Sequence, residues 1–89
     1  MFDWDSGNID HIARHAITPE EAEEVVQDPR RVDRDAYDFE GKHREAIIGL
    51  TGQRRLLVVF YTIREGRVRV VTARPARPSE LRRYRAGTP

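Results

Sequence analysis

Leu56 to Tyr61 is the longest uninterrupted apolar run in the chain, and it places apolar side chains at both odd and even positions. A strand with that pattern is covered on both faces and belongs in the interior of its sheet. After the Glu65-Gly66 turn the pattern changes, because Val68 and Val70 alternate with Arg67 and Arg69. Period two then gives one apolar face and one cationic face. Upstream, Ala46, Ile48 and Leu50 share one face of a strand over residues 43–50 with Ile47 on the other, and Thr51-Gly52-Gln53 supplies the turn that follows. Val32, Tyr37 and Phe39 anchor an irregular strand that turns at Gly41.

The amino-terminal part has helical spacing instead. Phe2 and Trp4 suit a short edge strand with its aromatic rings inward, and Asp5 or Ser6 can cap a helix whose buried stripe is Ile9, Ile12, Ala13 and Ala16. A second helix starts at Thr18, with Pro19 at its first position and Glu21 completing a capping box; Ile17 staples to Ala22, Val25 and Val26 face the core, and Pro29 stops it. A last short helix opens at Ser79-Glu80 and carries Leu81 and Tyr84. These elements predict an α+β fold: two amino-terminal helices packed on a three- to four-stranded antiparallel meander, with a short carboxy-terminal helix. The reading is one domain over residues 1–85 and a disordered tail over 86–89.

With 89 residues there is room for one core. The absence of cysteine excludes disulfides and thiolate metal sites. No run approaches the roughly 18 apolar residues that cross a bilayer, and the MFDWDSG start is acidic, so the expectation is a cytoplasmic protein without a membrane partner. The net charge of +1 hides a division: residues 1–40 carry 4 basic and 12 acidic side chains, residues 41–89 carry 12 and 3. That asymmetry suggests an anionic partner for the second half, or mutual pairing of the halves. Of the 16 basic residues 15 are arginine, whose fork binds phosphate bidentately.

Candidate chemistry follows the charge. His11 and His15 stand one helical turn apart, but two imidazoles do not make a metal site, and no metal or other cofactor is expected. Glu20, Glu21, Glu23 and Glu24 match a helix dipole and read as a solvated face. Arg67 and Arg69 occupy the open face of their strand, and Arg74, Arg77, Arg82 and Arg83 gather where it meets the last helix. Metal-free cleavage of RNA needs a base for the ribose 2′-hydroxyl, cations for the phosphorane and an acid for the leaving oxygen. Arginine supplies the cations; His11, His15, His43, Glu45, Glu80 and Tyr84 are the available proton-transfer groups, and spacing does not choose among them. Salt bridging of Arg67 and Arg69 to the acidic helices is the competing role.

Several segments, taken in order, resemble the BrnT family, the ribonuclease toxins of bacterial type II toxin–antitoxin systems, whose fold is similar to that of RelE. They are Phe2-Asp3-Trp4-Asp5, His15 before Ile17-Thr18-Pro19-Glu20-Glu21-Ala22, Asp28-Pro29, residues 57–62, residues 67–74, and Glu80 with Arg83-Tyr84. The resemblance implies a metal-independent endoribonuclease that inhibits translation. It further implies a cognate antitoxin as partner, RNA as substrate, and contact with operator DNA only through the antitoxin complex. Carried onto this chain it implies catalytic roles for His15, Arg69, Arg74, Glu80 and Tyr84, with Arg67, Arg77, Arg82 and Arg83 binding RNA. Trp4-Asp5-Ser6-Gly7-Asn8 lacks the lysine that typical members carry there. The alternative that this departure favours is a non-catalytic member serving as a protein- or nucleic-acid-binding module.

Overall fold

The computed structural model describes residues 1–87: helices α1 (Ser6–Ala13) and α2 (Pro19–Val26), strands β1 (Val32–Phe39), β2 (Lys42–Leu50), β3 (Leu56–Arg64) and β4 (Arg67–Pro75), and helix α3 (Pro78–Ala86). The strands form one antiparallel meander in the order β1-β2-β3-β4. Of the expected tail over 86–89, Ala86 is the last residue of α3 and Gly87 follows it at φ 78°, while Thr88 and Pro89 lie outside the described residues. Among the described residues no helix is long and apolar enough to cross a membrane.

Local chemistry starts each amino-terminal helix. Asp5 caps α1 by accepting from the Asn8 amide at 3.1 Å while the Asn8 side chain accepts from the Asp5 amide at 2.8 Å. The Thr18–Glu21 box at α2 forms as the sequence predicts, with the reciprocal bonds at 3.1 and 3.0 Å. The expected stripe on α1 is corrected. Only Ile12 of its four members is buried: Ile9 and Ala13 lie on the helix but off its inner face, which runs through Asn8 and Ile12, and Ala16 lies beyond the helix at φ 58°. Asn8 takes the inner place instead, donating to the carbonyls of Asp3 and Val70 at 2.9 and 3.0 Å.

Both faces of the sheet are covered. Ile12, Ile17, Ala22 and Val25 pack with Ile47, Leu57, Val59, Val70 and Ala73 beneath α1 and α2. On the other face Val32, Ala46, Ile48, Val58 and Phe60 form a second cluster with Tyr37, Leu56, Ala76 and Tyr84, and α3 lies there. β3 therefore buries odd and even residues in opposite layers, as its unbroken apolar run predicts. α2 sits very close to β2 at Gly49, where a Cβ would stand 2.8 Å from both Val25 Cγ1 and the Val25 carbonyl oxygen. A backbone oxygen cannot swing aside, so Gly49→Ala is expected to destabilise the domain by about 1–3 kcal/mol, read as a lower urea midpoint at unchanged slope.

Two irregularities decide which way the arginines face. Between Phe60 and Tyr61 the pairing slips, so Tyr61 opposes Val70 while Phe60 opposes Thr72, and Val71 is an extra residue in β4. β1 carries a second slip between Arg34 and Tyr37, opposite Ala46 and Arg44. Each extra residue inverts the alternation beyond it. At the outer edge of β4, Phe2 forms a single parallel bridge to Val68, with Asp3 N–H donating to the Val68 carbonyl at 2.9 Å and Val68 N–H to the Met1 carbonyl at 2.8 Å. Trp4 packs on the helical core and donates to Glu23 at 2.8 Å.

Candidate nucleic-acid interface

Val58 and Phe60 face the α3 side of the sheet, and by period two so do Thr62 and Arg64. Thr62 pairs with Arg69 and Arg64 with Arg67, while the Glu45–Tyr61 pairing sets Arg44 beside Thr62 on the opposite flank. Arg44 and Lys42 share the face of Ala46 and Ile48. The end of the sheet that α3 leaves open is thus floored by cations from three strands. A groove of about 630 Å³ opens at this end, lined by Lys42, Arg44, Arg64 and Arg69 and reaching the α1 side, where Asn8, His11 and Val70 complete its lining.

Arg69 is the most constrained of these cations. Its Nη2 lies 3.0 Å from Asp5 and its Nη1 3.5 Å from Asp3, and Nη1 is buried without a hydrogen bond. The Asn8 amide, with Arg69 assisting, holds the Asp5 carboxyl below its ordinary range. Arg67 is exposed on the adjoining row.

A second group sits further along the same face. Arg74 donates to both oxygens of Glu80 at 2.8 and 2.7 Å, Arg34 Nε lies 3.0 Å from Glu80 Oε2, and the Arg77 amide donates at 2.8 Å. The Arg74 guanidinium, followed by the Arg77 amide and Arg34, holds the buried Glu80 carboxyl down to about 2. The same hydrogen bond raises Arg74 above its usual value. Both guanidiniums stand over Phe60, at 5.7 Å for Arg34 and 5.5 Å for Arg74, and Tyr37 meets that ring edge-on at 5.8 Å.

Tyr84 donates to Asp28 Oδ2 at 2.7 Å, and burial, with that carboxylate, pushes its phenol up to about 12. Burial pushes Asp28 upward, but donation by Tyr84 and by the Leu50 and Arg30 amides outweighs it, and the carboxylate stays below its ordinary range. Asp28 thereby ties α3 to the end of α2 and to β2.

The residues singled out from the sequence do not all converge. Arg74 and Glu80 meet; Tyr84 lies on the same helix but is bound to Asp28; Arg69 is five residues up β4, roughly 16 Å away at the strand rise. His15 is exposed in the turn after α1, on the other side of the sheet from Glu80 and Tyr84. Arg77, Arg82 and Arg83 are exposed on α3 and its cap, Arg83 lying 3.8 Å from Asp35. Arg34, at Glu80, and Lys42, Arg44 and Arg64, in the groove, are cations that sequence reasoning does not single out. For the last three a signal exists, since period two carried outward from Ala46 and Phe60 reaches them. Among the described residues no three His, Asp or Glu side chains gather as a metal ion requires.

The model of a protein family described as the ribonuclease toxin, BrnT, of type II toxin–antitoxin systems matches residues 4–80. No curated protein matches the chain significantly.

Proposed function

The chain belongs to the BrnT family of type II toxin–antitoxin ribonuclease toxins, and from that premise we propose that it is a metal-independent endoribonuclease that arrests translation and is neutralised by a cognate antitoxin. The observation that carries this reading is the groove in which Lys42, Arg44, Arg64 and Arg69 are gathered with the His11 imidazole. In this reading the cations hold the scissile phosphate and stabilise the charge of its phosphorane, and His11 moves the proton. The 2′-oxygen loses its proton and attacks phosphorus, the bond to the 5′-oxygen breaks, and that oxygen leaves with a proton. The products are a 2′,3′-cyclic phosphate and a 5′-hydroxyl.

Arg74 and Glu80 have a different part here: they brace α3 and hold Arg34 against Phe60. Tyr84 pins α3 to Asp28. Operator DNA enters only through the antitoxin's own DNA-binding domain.

The reading predicts that purified protein cleaves single-stranded RNA in the presence of a chelator, leaving cyclic phosphate ends, and that induced expression stops growth unless the antitoxin is supplied. Intact RNA at stoichiometric protein, together with unimpaired growth, would sink it. One observation favours a binding role without cleavage: Arg34, Arg69 and Arg74 already have carboxylate partners within the chain. Retained RNA binding by a protein that leaves RNA intact is the result that role expects.

A further inference from the structure

We propose that the pocket of about 230 Å³ between β1 and α3, lined by Arg34, Arg77 and Arg83, is a second phosphate subsite for the same RNA strand. The proposal rests on the preceding reading to the extent that it takes RNA to lie on this face of the sheet. Its own basis is charge, size and continuity.

Two carboxylates, Asp35 and Glu80, also line the pocket. Glu80 is already matched by Arg74 and Arg34. Asp35 is 93% exposed and stands 3.8 Å from Arg83, too far and too wet to hold that guanidinium. Arg77 uses its backbone amide toward Glu80, and its side chain has no ion pair among the described residues. Arg77 and Arg83 are therefore two guanidinium forks with unused donors around a pocket that admits a phosphate group with room to spare. Arginine forks fit phosphate oxygens bidentately.

Continuity with the groove gives the pocket its ligand. Arg34 pairs with Ala46, and Arg44 is two residues further along β2, opposite Tyr37. Two residues of strand span roughly 7 Å, so cationic rows follow one another from the groove to the pocket along a single face. Phe60 and Tyr37 lie between them. Arg69 stands roughly 16 Å from Arg74 at the strand rise, so an RNA strand whose scissile phosphate sits by Arg69 and Arg44 brings a phosphate about two or three nucleotides further along to Arg77 and Arg83. The cations that continue from the groove to the pocket favour an extended RNA strand, with a phosphate at each, over a single acidic side chain of a protein partner.

Binding of single-stranded RNA carrying 2′-O-methyl groups throughout, which cannot be cleaved, tests the subsite. For wild type, affinity rises when the oligonucleotide is lengthened beyond the groove. In the Arg77→Ala/Arg83→Ala variant that gain falls by about tenfold, and the slope of log affinity against log salt becomes shallower by about 0.7 for each phosphate the variant no longer neutralises. Short oligonucleotides bind both proteins alike. Both side chains are exposed, so melting by circular dichroism should be unchanged. Identical slopes and length dependence, an equal loss for short and long RNA, or loss of antitoxin binding with RNA binding intact would each overturn the subsite. If wild type binds with this length dependence yet leaves unmodified RNA whole, the nuclease reading fails and the subsite stands.

Discussion

Glu80→Ala is expected to lower the stability of the domain by about 3–5 kcal/mol, the usual cost of removing one partner from a buried ion pair. The carboxylate it removes is 6% exposed and answers Arg74, Arg34 and the Arg77 amide together. Without it Arg74, whose side chain is 18% exposed, keeps its charge and loses its bidentate acceptor. Against a total of roughly 5–15 kcal/mol, this loss should pull the melting temperature down by well over about 10 °C. Glu80→Gln retains an acceptor for the Arg77 amide and should fall between. The same ion pair sets an acid limit. Because the carboxyl is held down to about 2 from an ordinary 4.5, the unfolded chain takes up its proton first as pH falls. This stabilisation is fully present above about pH 4.5 and is lost as pH drops toward 2. The span corresponds to about 3 kcal/mol at ~1.36 kcal/mol per pKa unit. Urea titrations at several pH values should show the wild type losing stability across that window and Glu80→Gln losing less. Equal pH profiles would mean the pair contributes nothing beyond packing.

The second large effect is on chemistry. Removing a positioned proton-transfer group typically costs about 10²–10⁴-fold in rate, and His11→Ala should lose that much RNA cleavage. His11 is exposed on α1, so the variant should melt like wild type and still bind uncleavable RNA. The comparison that gives this meaning is His15→Ala, four residues on and outside the lining of the groove, which should cleave at close to the wild-type rate. If the losses were reversed, the proton-transfer role would pass to His15 and the groove would be a binding surface only.

These expectations depend on details of strand registry that the sequence conveys only in part. The two-sided burial of Leu57, Val58, Val59 and Phe60 was legible, since an unbroken apolar run permits little else, and so was the Thr18–Glu21 start of α2. The grouping of the arginines was not. Arg69 and Arg74 have opposite parity, and a regular strand would send them to opposite faces; the extra residue at Val71 reunites them. Arg34 and Tyr37 are likewise brought to one face by the slip in β1. Bulges arise from pairing between strands, and nothing within residues 67–75 announces one. Glu80 shows a different gap. From the sequence it is a carboxylate available for proton transfer, and only its two guanidinium neighbours reveal a weak base locked in place. On α1 the apolar spacing misled because the helix turns Asn8 and Ile12 inward instead of Ile9 and Ala13, and Asn8 answers backbone carbonyls at the sheet edge that no apolar residue could.

The bridge between Phe2 and Val68 has a consequence for the order in which the molecule is made. The hairpins of the meander join neighbours in the chain and close quickly, whereas this bridge links residues more than sixty positions apart. At about 5–20 residues per second, synthesis leaves the first residues waiting roughly 3–13 s for their strand. Until then Asp3 and Asp5 have no Arg69 to hold, and Asn8 has no Val70 carbonyl. The cation-lined face is therefore completed only after β4 is made, later than the β1–β2 and β2–β3 hairpins.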